Sequence, residues 1–187
     1  MVMAELPPSS TLADTLNSSK TILQNAAHPP YLHHVALCVL HNLKFQHDWT
    51  SLSLHTHSTR TNSPLPRPLL SGIPPRRAYI HPDEQVEILK VEHETGQPVK
   101  QYPEREWVLP THLEERGSLA EFANVFDAIE TVPPATDDEP DIPDPVTVGQ
   151  QWQGKNRQKR LLLATVHDDS TVVYYIMHDG IVKPRQN

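Results

Sequence analysis

Histidine is the residue type with the widest chemical scope in this sequence, and it occurs 12 times among 187 residues. Two histidines bind one metal ion when their rings reach it from the same face of a helix or strand. His33 and His34 are adjacent in a helical pattern, so their rings diverge, whereas His55 and His57 alternate in a strand pattern and share a face. The sequence offers no second pair at ligand spacing and a single cysteine, Cys38. We therefore expect no metal and no cofactor, and interpret these histidines as surface or hydrogen-bonded residues.

Charged side chains gather at two places in the last third of the chain. A basic group comes just before the most apolar segment and consists of Lys155, Arg157, Lys159 and Arg160. These side chains are candidates for contact with RNA phosphates, and a solvated charge run before a strand explains them at least as well. Two acidic residues, Asp168 and Asp169, lie in a predicted turn between strands, where aspartate is common for conformational reasons alone.

The composition limits the classes of function. A net charge of −7 argues against a protein that binds nucleic acid by itself over a broad basic face. One cysteine excludes a disulfide framework within the chain and suits a reducing compartment. No apolar run approaches the ~18 residues of a membrane span, and the first residues carry no secretory signal. We expect a soluble intracellular protein.

Two segments have the apolar spacing of amphipathic helices. The first is Tyr31–Gln46, and the second is Ser118–Glu130, which begins with a serine followed by a glutamate three residues later, the pattern of a capping box. A weaker helical pattern covers Thr11–Ala27. It lies within an N-terminal segment, residues 1–30, that we expect to be loosely ordered.

Several segments have the composition or alternation of strands. Arg160–Val166 is nearly all apolar, as an internal strand should be, and Thr171–Met177 is rich in β-branched and aromatic residues. A hairpin is predicted from two alternating segments on either side of Gly96. The predicted strands are Trp49–His57, Arg77–His81, Val86–Glu92, Val99–Leu109, Arg160–Val166, Thr171–Met177 and a short Ile181–Lys183.

Nineteen prolines divide these elements and predict two irregular segments. Residues 58–75 are read as a proline-rich loop, and residues 131–158 as an acidic, flexible insertion. The order of helices and strands predicts a mixed α/β domain over residues 31–187, with a small mixed β-sheet packed with helices.

Four stretches resemble the small structural subunit of the eukaryotic tRNA-splicing endonuclease, in its fungal form. The C-terminal residues 159–187, KRLLLATVHDDSTVVYYIMHDGIVKPRQN, carry the most specific part of the resemblance. The others are YLHHVALCVLHNLKFQHDW, GIPPRRAYIHPDEQVEILK and REWVLPTHLEERGSLAEFANVFDAIE. The resemblance covers residues 31–187, with the acidic insertion as a gap.

The resemblance implies a fold similar to the C-terminal nuclease-like domain of tRNA-intron endonucleases, and a non-catalytic role in intron removal from pre-tRNA. It implies a heterotetramer of two catalytic and two structural subunits, in which this chain pairs through its last strands. An acidic loop then docks in a basic pocket of another subunit. The interface residues carried over are Asp168, Asp169, Val172, Val173, Tyr174, Tyr175, Ile176, Met177 and Ile181.

Catalytic members of that family cut RNA with a Tyr, a His and a Lys, which serve as base, acid and stabilising cation. Lys159 stands where the family's lysine can fall. Neither Tyr79 with His81 nor Tyr102 with His112 has the surrounding pattern, so we expect a structural subunit and not an enzyme. Two alternatives remain, an active endonuclease chain that uses Lys159 and a stand-alone interaction scaffold.

The resemblance also bears on assembly and location. An isolated chain with a free apolar strand would be prone to form a homodimer through it. Family resemblance favours the nucleus, with the mitochondrial outer surface or the cytoplasm as alternatives. We expect contact with pre-tRNA through the complex and no membrane insertion.

Overall fold

The computed structural model describes residues 28–136 and 148–182 of the chain. The strands form one sheet, and the helices pack beside it. In chain order they are α1 (Pro30–Gln46), β1 (Thr50–His57), β2 (Pro64–Ile73), α2 (Pro82–Thr95), β3 (Glu106–His112), α3 (Leu119–Ala128), two 3-10 turns (Gln150–Trp152 and Gly154–Asn156), β4 (Arg160–Val166) and β5 (Val172–His178).

The sheet has five strands in the order β1-β2-β3-β4-β5. Neighbouring strands are antiparallel except β3 and β4, which run parallel and have α3 between them in the chain. The mixed α/β class predicted from the sequence is confirmed. The strands β1, β4 and β5 lie within one residue of their predicted bounds.

Two apolar cores lie on opposite faces of this sheet. On one face Val35, Val39 and Leu43 of α1 pack on Leu70, Val108 and Leu162. On the other face Val125 and Phe126 of α3 pack on Leu69, Trp107, Leu109 and Leu161. Successive residues of the inner strands therefore enter different cores, which explains why β4 is apolar at almost every position.

The predicted N-terminal end of α3 is confirmed, and the helix ends at Ala128, two residues before the predicted Glu130. Its N-cap Ser118 accepts a hydrogen bond from the amide of Glu121 at 3.2 Å, and the Glu121 carboxylate accepts one from the amide of Ser118 at 2.6 Å. Helix α1 begins with Pro30 and buries the predicted apolar stripe. Both helices follow from local sequence signals together with one buried face.

The hairpin predicted around Gly96 is wrong, because its first half is helix α2 and its second half begins as an irregular segment. His81 caps α2 by accepting a hydrogen bond from the amide of Asp83, Pro82 begins it, and Gly96 ends it with a φ of 66°. Glu84 and Ile88, one helical turn apart, are its buried residues. These end signals outweigh the alternation of apolar residues over Val86–Glu92. The short strand predicted at Arg77–His81 is also absent, since this segment is irregular.

The proline-rich loop predicted over residues 58–75 is wrong for most of its length, because β2 occupies Pro64–Ile73. Its prolines stand at alternate positions 64, 66 and 68, so their missing N–H groups would point to one side of the strand. Pairing with β3 begins only at Leu70, beyond the prolines. Proline is therefore compatible with this part of the strand, because one of its edges makes no hydrogen bonds to a neighbouring strand.

The acidic insertion predicted over residues 131–158 is only partly described. Residues 137–147 lie outside the described part of the chain. Residues 148–158 form the two 3-10 turns, where Gln153 donates to the buried Glu84 at 2.7 Å. Residues 148–158 of the predicted flexible segment are therefore ordered and hydrogen-bonded to α2. The short strand predicted at Ile181–Lys183 is irregular at Ile181 and Val182, and Lys183 lies outside the described residues. Residues 1–27 of the predicted loosely ordered N-terminal segment also lie outside them.

A buried ion network joins α2, the start of β3 and the start of β4. Arg77 donates to Glu84 at 2.6 Å and lies 3.5 Å from Glu104. Arg160 donates to Glu106 at 2.5 Å and to Glu104 at 2.9 Å. The remaining member, Arg157, is 3.2 Å from Glu106. Each charge has a partner of opposite sign, as burial requires.

Candidate subunit-docking edge

Strand β5 is one outer strand of the sheet. It pairs with β4 along its whole length, from Val172 opposite Val166 to His178 opposite Arg160. Its other edge has no strand partner among residues 28–136 and 148–182. The backbone groups along an outer strand are a template for pairing with another chain.

The side chains of β5 alternate between the two faces of the sheet. Val172 and Tyr174 turn toward α1, where the Tyr174 hydroxyl donates to Asn42 Oδ1 at 2.6 Å. Burial raises the pKa of this tyrosine, so its hydroxyl remains protonated. These two predicted interface residues are thus committed to the core of the chain itself.

The opposite face of β5 is open. Val173 is 43% exposed and Tyr175 is 59% exposed, while Met177 packs beside the α3 core. Ile176, on the same face as Tyr174, is 37% exposed, and Ile181, beyond the end of the strand, is exposed almost completely. The interface residues implied by the resemblance lie on both faces of this strand, and the exposed pair Val173 and Tyr175 favours the α3 face.

This open face continues into a groove that sequence reasoning missed. Leu163 and Thr165 of β4, the direct neighbours of Tyr175 and Val173, line a cavity of about 230 Å³. Phe122 of α3 forms its far wall. The apolar stripe of α3 was visible in the sequence, but its distance from β5 depends on the parallel pairing of β3 with β4.

The acidic turn between β4 and β5 projects into solvent at one end of this face. The side chains of Asp168 and Asp169 are 71% and 65% exposed, and each lies beside a histidine, His112 at 3.2 Å and His167 at 3.3 Å. The amide of Thr171 donates to Asp169 and lowers the pKa of that carboxyl. The Asp169 carboxylate is therefore charged, and both exposed side chains are accessible to a cationic partner. We call the set Asp168, Asp169, Val173, Tyr175, Ile176 and Ile181 the docking edge.

The basic group predicted before β4 is largely internal. Arg157 and Arg160 are 4% and 3% exposed and belong to the buried ion network, so neither the RNA contact nor the solvated run predicted for them is available. Lys159 donates to the carbonyl of Phe126 at 2.8 Å, at the end of α3. Lys155 is exposed and alone keeps the predicted freedom to contact RNA.

The residue types of the catalytic alternative are spread over the molecule. Tyr79 and His81 line one cavity, and Lys159 is not among the described residues that line it. His112 faces the acidic turn, while the ring of Tyr102 lies under Lys100. A Tyr, His and Lys trio around one phosphate is not assembled from these residues.

Two features are absent from residues 28–136 and 148–182, a metal-binding cluster and a membrane-spanning helix. Within that part of the chain, no group of three His, Cys, Asp or Glu side chains is placed to hold a metal ion. None of its helices is both long and apolar enough to cross a membrane. Cys38 is partly buried on α1, and this burial raises the pKa of its thiol.

The fold defines a small mixed α/β protein in which β5 is an outer strand of the sheet. The family model described as Sen15 protein matches residues 38–187. The chain belongs to this family. It is also 48% identical over 167 residues to a Neurospora crassa protein named as a probable tRNA-splicing endonuclease subunit, tsp-1, a match that covers 89% of this chain and 72% of the relative.

Proposed function

We propose that this chain is a non-catalytic subunit of a tRNA-splicing endonuclease, and that it assembles with a second subunit through the docking edge. The observation that carries the proposal is membership of the Sen15 protein family together with the similarity to the Neurospora protein named as a probable tRNA-splicing endonuclease subunit. The role it assigns is to support intron removal from pre-tRNA by holding the complex together.

The geometry of β5 supports this mode of assembly. Pairing along the strand edge would supply backbone hydrogen bonds, and the exposed Val173 and Tyr175 would be covered by apolar side chains of the partner. The acidic turn would supply specificity by entering a basic pocket. Together these features favour one register of the two subunits over others.

Two observations support a role without cleavage chemistry. The amine of Lys159 is held by a backbone carbonyl, and Lys159 lies outside the cavity that contains Tyr79 and His81. We expect the purified chain alone to leave pre-tRNA intact. Cleavage by the chain alone, abolished in Lys159→Ala, would favour the catalytic alternative.

The partners follow from the same proposal. We infer a heterotetramer with two catalytic subunits and one other structural subunit, located in the nucleus, and a homodimer through β5 when the chain is isolated. Pre-tRNA is then reached through the complex.

The deciding experiment is affinity purification of the tagged full chain from its native cells, followed by mass spectrometry. We expect recovery of the other endonuclease subunits. We expect their loss from a chain lacking residues 171–187, and a weakened yield from the folded double variant Asp168→Asn/Asp169→Asn. If the unaltered chain recovers none of these subunits, the proposal is refuted and the stand-alone interaction scaffold is the remaining alternative.

A further inference from the structure

A second cavity lies at the end of β5 opposite the acidic turn. It has a volume of about 270 Å³ and is formed by the connection between β2 and α2, the 3-10 turns before β4, and the last residue of β5. His178 stands at this end and Val172 at the other, six residue steps away, a separation of about 20 Å at ~3.3 Å per step. The cavity is therefore separate from the acidic turn.

The walls of this cavity are aromatic. His81 stacks on Trp152 with ring centres 5.5 Å apart and planes 9° from parallel. Tyr79 meets His178 edge to face at 4.7 Å, and Arg160 lies 5.3 Å over the Tyr79 ring. Each ring is held by another, so the walls are preformed. We call this cavity, lined by Tyr79, His81, Trp152 and His178, the ring pocket.

Polar groups lie between these rings. Asn156 and Gln158 contribute side-chain amides to the lining. Among the described residues, His178 Nε2 and Arg157 Nε are buried and find no hydrogen-bond partner, and both residues line the pocket. An unpaired buried nitrogen costs free energy, which a ligand with hydrogen-bonding edges would recover.

The arginines that line the pocket are already paired with carboxylates of the buried ion network, which disfavours an anionic ligand. Three arginines in and beneath it face three carboxylates of the buried ion network, so their charges cancel. Burial, with the nearby Arg160 and His81, lowers the pKa of His178, which keeps that ring neutral. A neutral ligand is favoured over a phosphate.

We propose that the ring pocket binds one unpaired nucleobase of single-stranded RNA. A base combines a flat apolar face with donors and acceptors at its edge, matching aromatic walls that carry amides and an unpaired imidazole nitrogen. A volume just under the roughly 300–1,000 Å³ of drug-sized ligand sites suits one ring system. The choice of RNA rests on the proposed function, since pre-tRNA is the substrate of that complex.

Nucleosides titrated into the ¹⁵N-labelled full chain test this assignment. Trp152 is one of three tryptophans, and the other two, Trp49 and Trp107, are buried in the two cores and serve as internal controls. We expect adenosine, guanosine, cytidine or uridine at millimolar concentration to shift the indole N–H signal of Trp152 saturably. The signals of Trp49 and Trp107 should stay in place.

Matched probes and variants distinguish the outcomes. Ribose 5-phosphate should give no shift, and an equal shift would identify a phosphate site and overturn the proposal, as would the absence of any shift with all four nucleosides. Tyr79→Ala should weaken binding about 5- to 160-fold, the equivalent of roughly 1–3 kcal/mol for one stacking ring. Tyr79→Phe should retain it. Equal affinity in both variants would also overturn the proposal.

The same variants separate this inference from the assembly role. Co-purification of Tyr79→Ala with the other endonuclease subunits should match that of the unaltered chain, since Tyr79 does not belong to the docking edge. Failed nucleoside binding with intact co-purification refutes the ring pocket alone. Intact nucleoside binding without co-purification refutes the assembly role alone.

Discussion

Replacing Tyr175 with glutamate tests the docking edge at its most exposed aromatic side chain. A fully covered tyrosine buries about 150–250 Å², and 59% of this one is exposed. A partner could therefore cover about 90–150 Å² more, worth about 2–4 kcal/mol at ~25 cal/mol per Å². Loss of that contact corresponds to a dissociation constant raised about 40- to 450-fold. Glutamate adds the cost of a buried carboxylate, so we expect at least the lower figure.

Tyr31→Glu is the matched control for this change. Tyr31 is 58% exposed, and it lies in the first turn of α1, where a carboxylate interacts favourably with the helix dipole. The two variants thus make the same chemical change at equally exposed sites. Only the one on β5 should weaken association.

The measurement is a titration of each purified variant into the endonuclease subunits co-expressed without this chain. Circular dichroism melts should first show that both variants remain folded, as expected for changes at exposed positions. Equal dissociation constants for Tyr175→Glu and Tyr31→Glu would refute the assignment of the α3 face of β5 as the interface. Ile176→Glu, on the other face, then tests the alternative side of the strand.

Three further predictions concern the fold that presents this edge. Glu106→Ala should lower the free energy of unfolding by about 3–5 kcal/mol in urea titration, because it leaves three buried arginines of the network, Arg160 among them, with only two carboxylates. The exposed Glu114→Ala should change the free energy of unfolding by less than about 0.5 kcal/mol, and similar values for the two variants would contradict a structural role for the network. Burial, then the charge of Arg105, lowers the pKa of His55 from 6.5 to about 4, so the unfolded chain binds more protons between these values and stability should fall as the pH decreases from 6.5 to 4. The melting temperature should depend less steeply on pH across that range in His55→Gln than in the unaltered chain, and His57→Gln should follow the unaltered chain. Parallel plots of melting temperature against pH for all three proteins would refute the assignment. Ser118→Ala should cost about 1 kcal/mol and speed amide exchange in the first turn of α3, whereas Ser118→Asp should preserve both; unaltered exchange in the alanine variant would show that the cap is dispensable.

The sequence was sufficient where a local pattern and a tertiary environment agree. The capping box and apolar stripe of α3, and the β-branched run of β5, each formed as predicted because burial reinforced them. The strand that carries the docking edge formed at its predicted position for the same reason. The prediction that its residues form a subunit interface stays a prediction.

Two errors arose where local signals competed. Val86–Glu92 alternates like a strand, but a cap at His81 and a left-handed Gly96 set the bounds of a helix. The prolines of β2 predicted a loop. They occupy positions where one edge of the strand has no neighbouring strand, so no hydrogen bond is lost with their missing N–H groups. In both cases the competing cue was present in the sequence and was given too little weight.

The sequence by itself determined the order of most elements, the family resemblance and the position of the acidic turn, because these depend on residues close together in the chain. The tertiary structure decided which charges remain free and which face of β5 is open. Arg157 and Arg160 read as surface cations until the fold places Glu104 and Glu106, more than fifty residues earlier, against them. The open face and the ring pocket likewise depend on strand order and on contacts between distant segments, which no local spacing records.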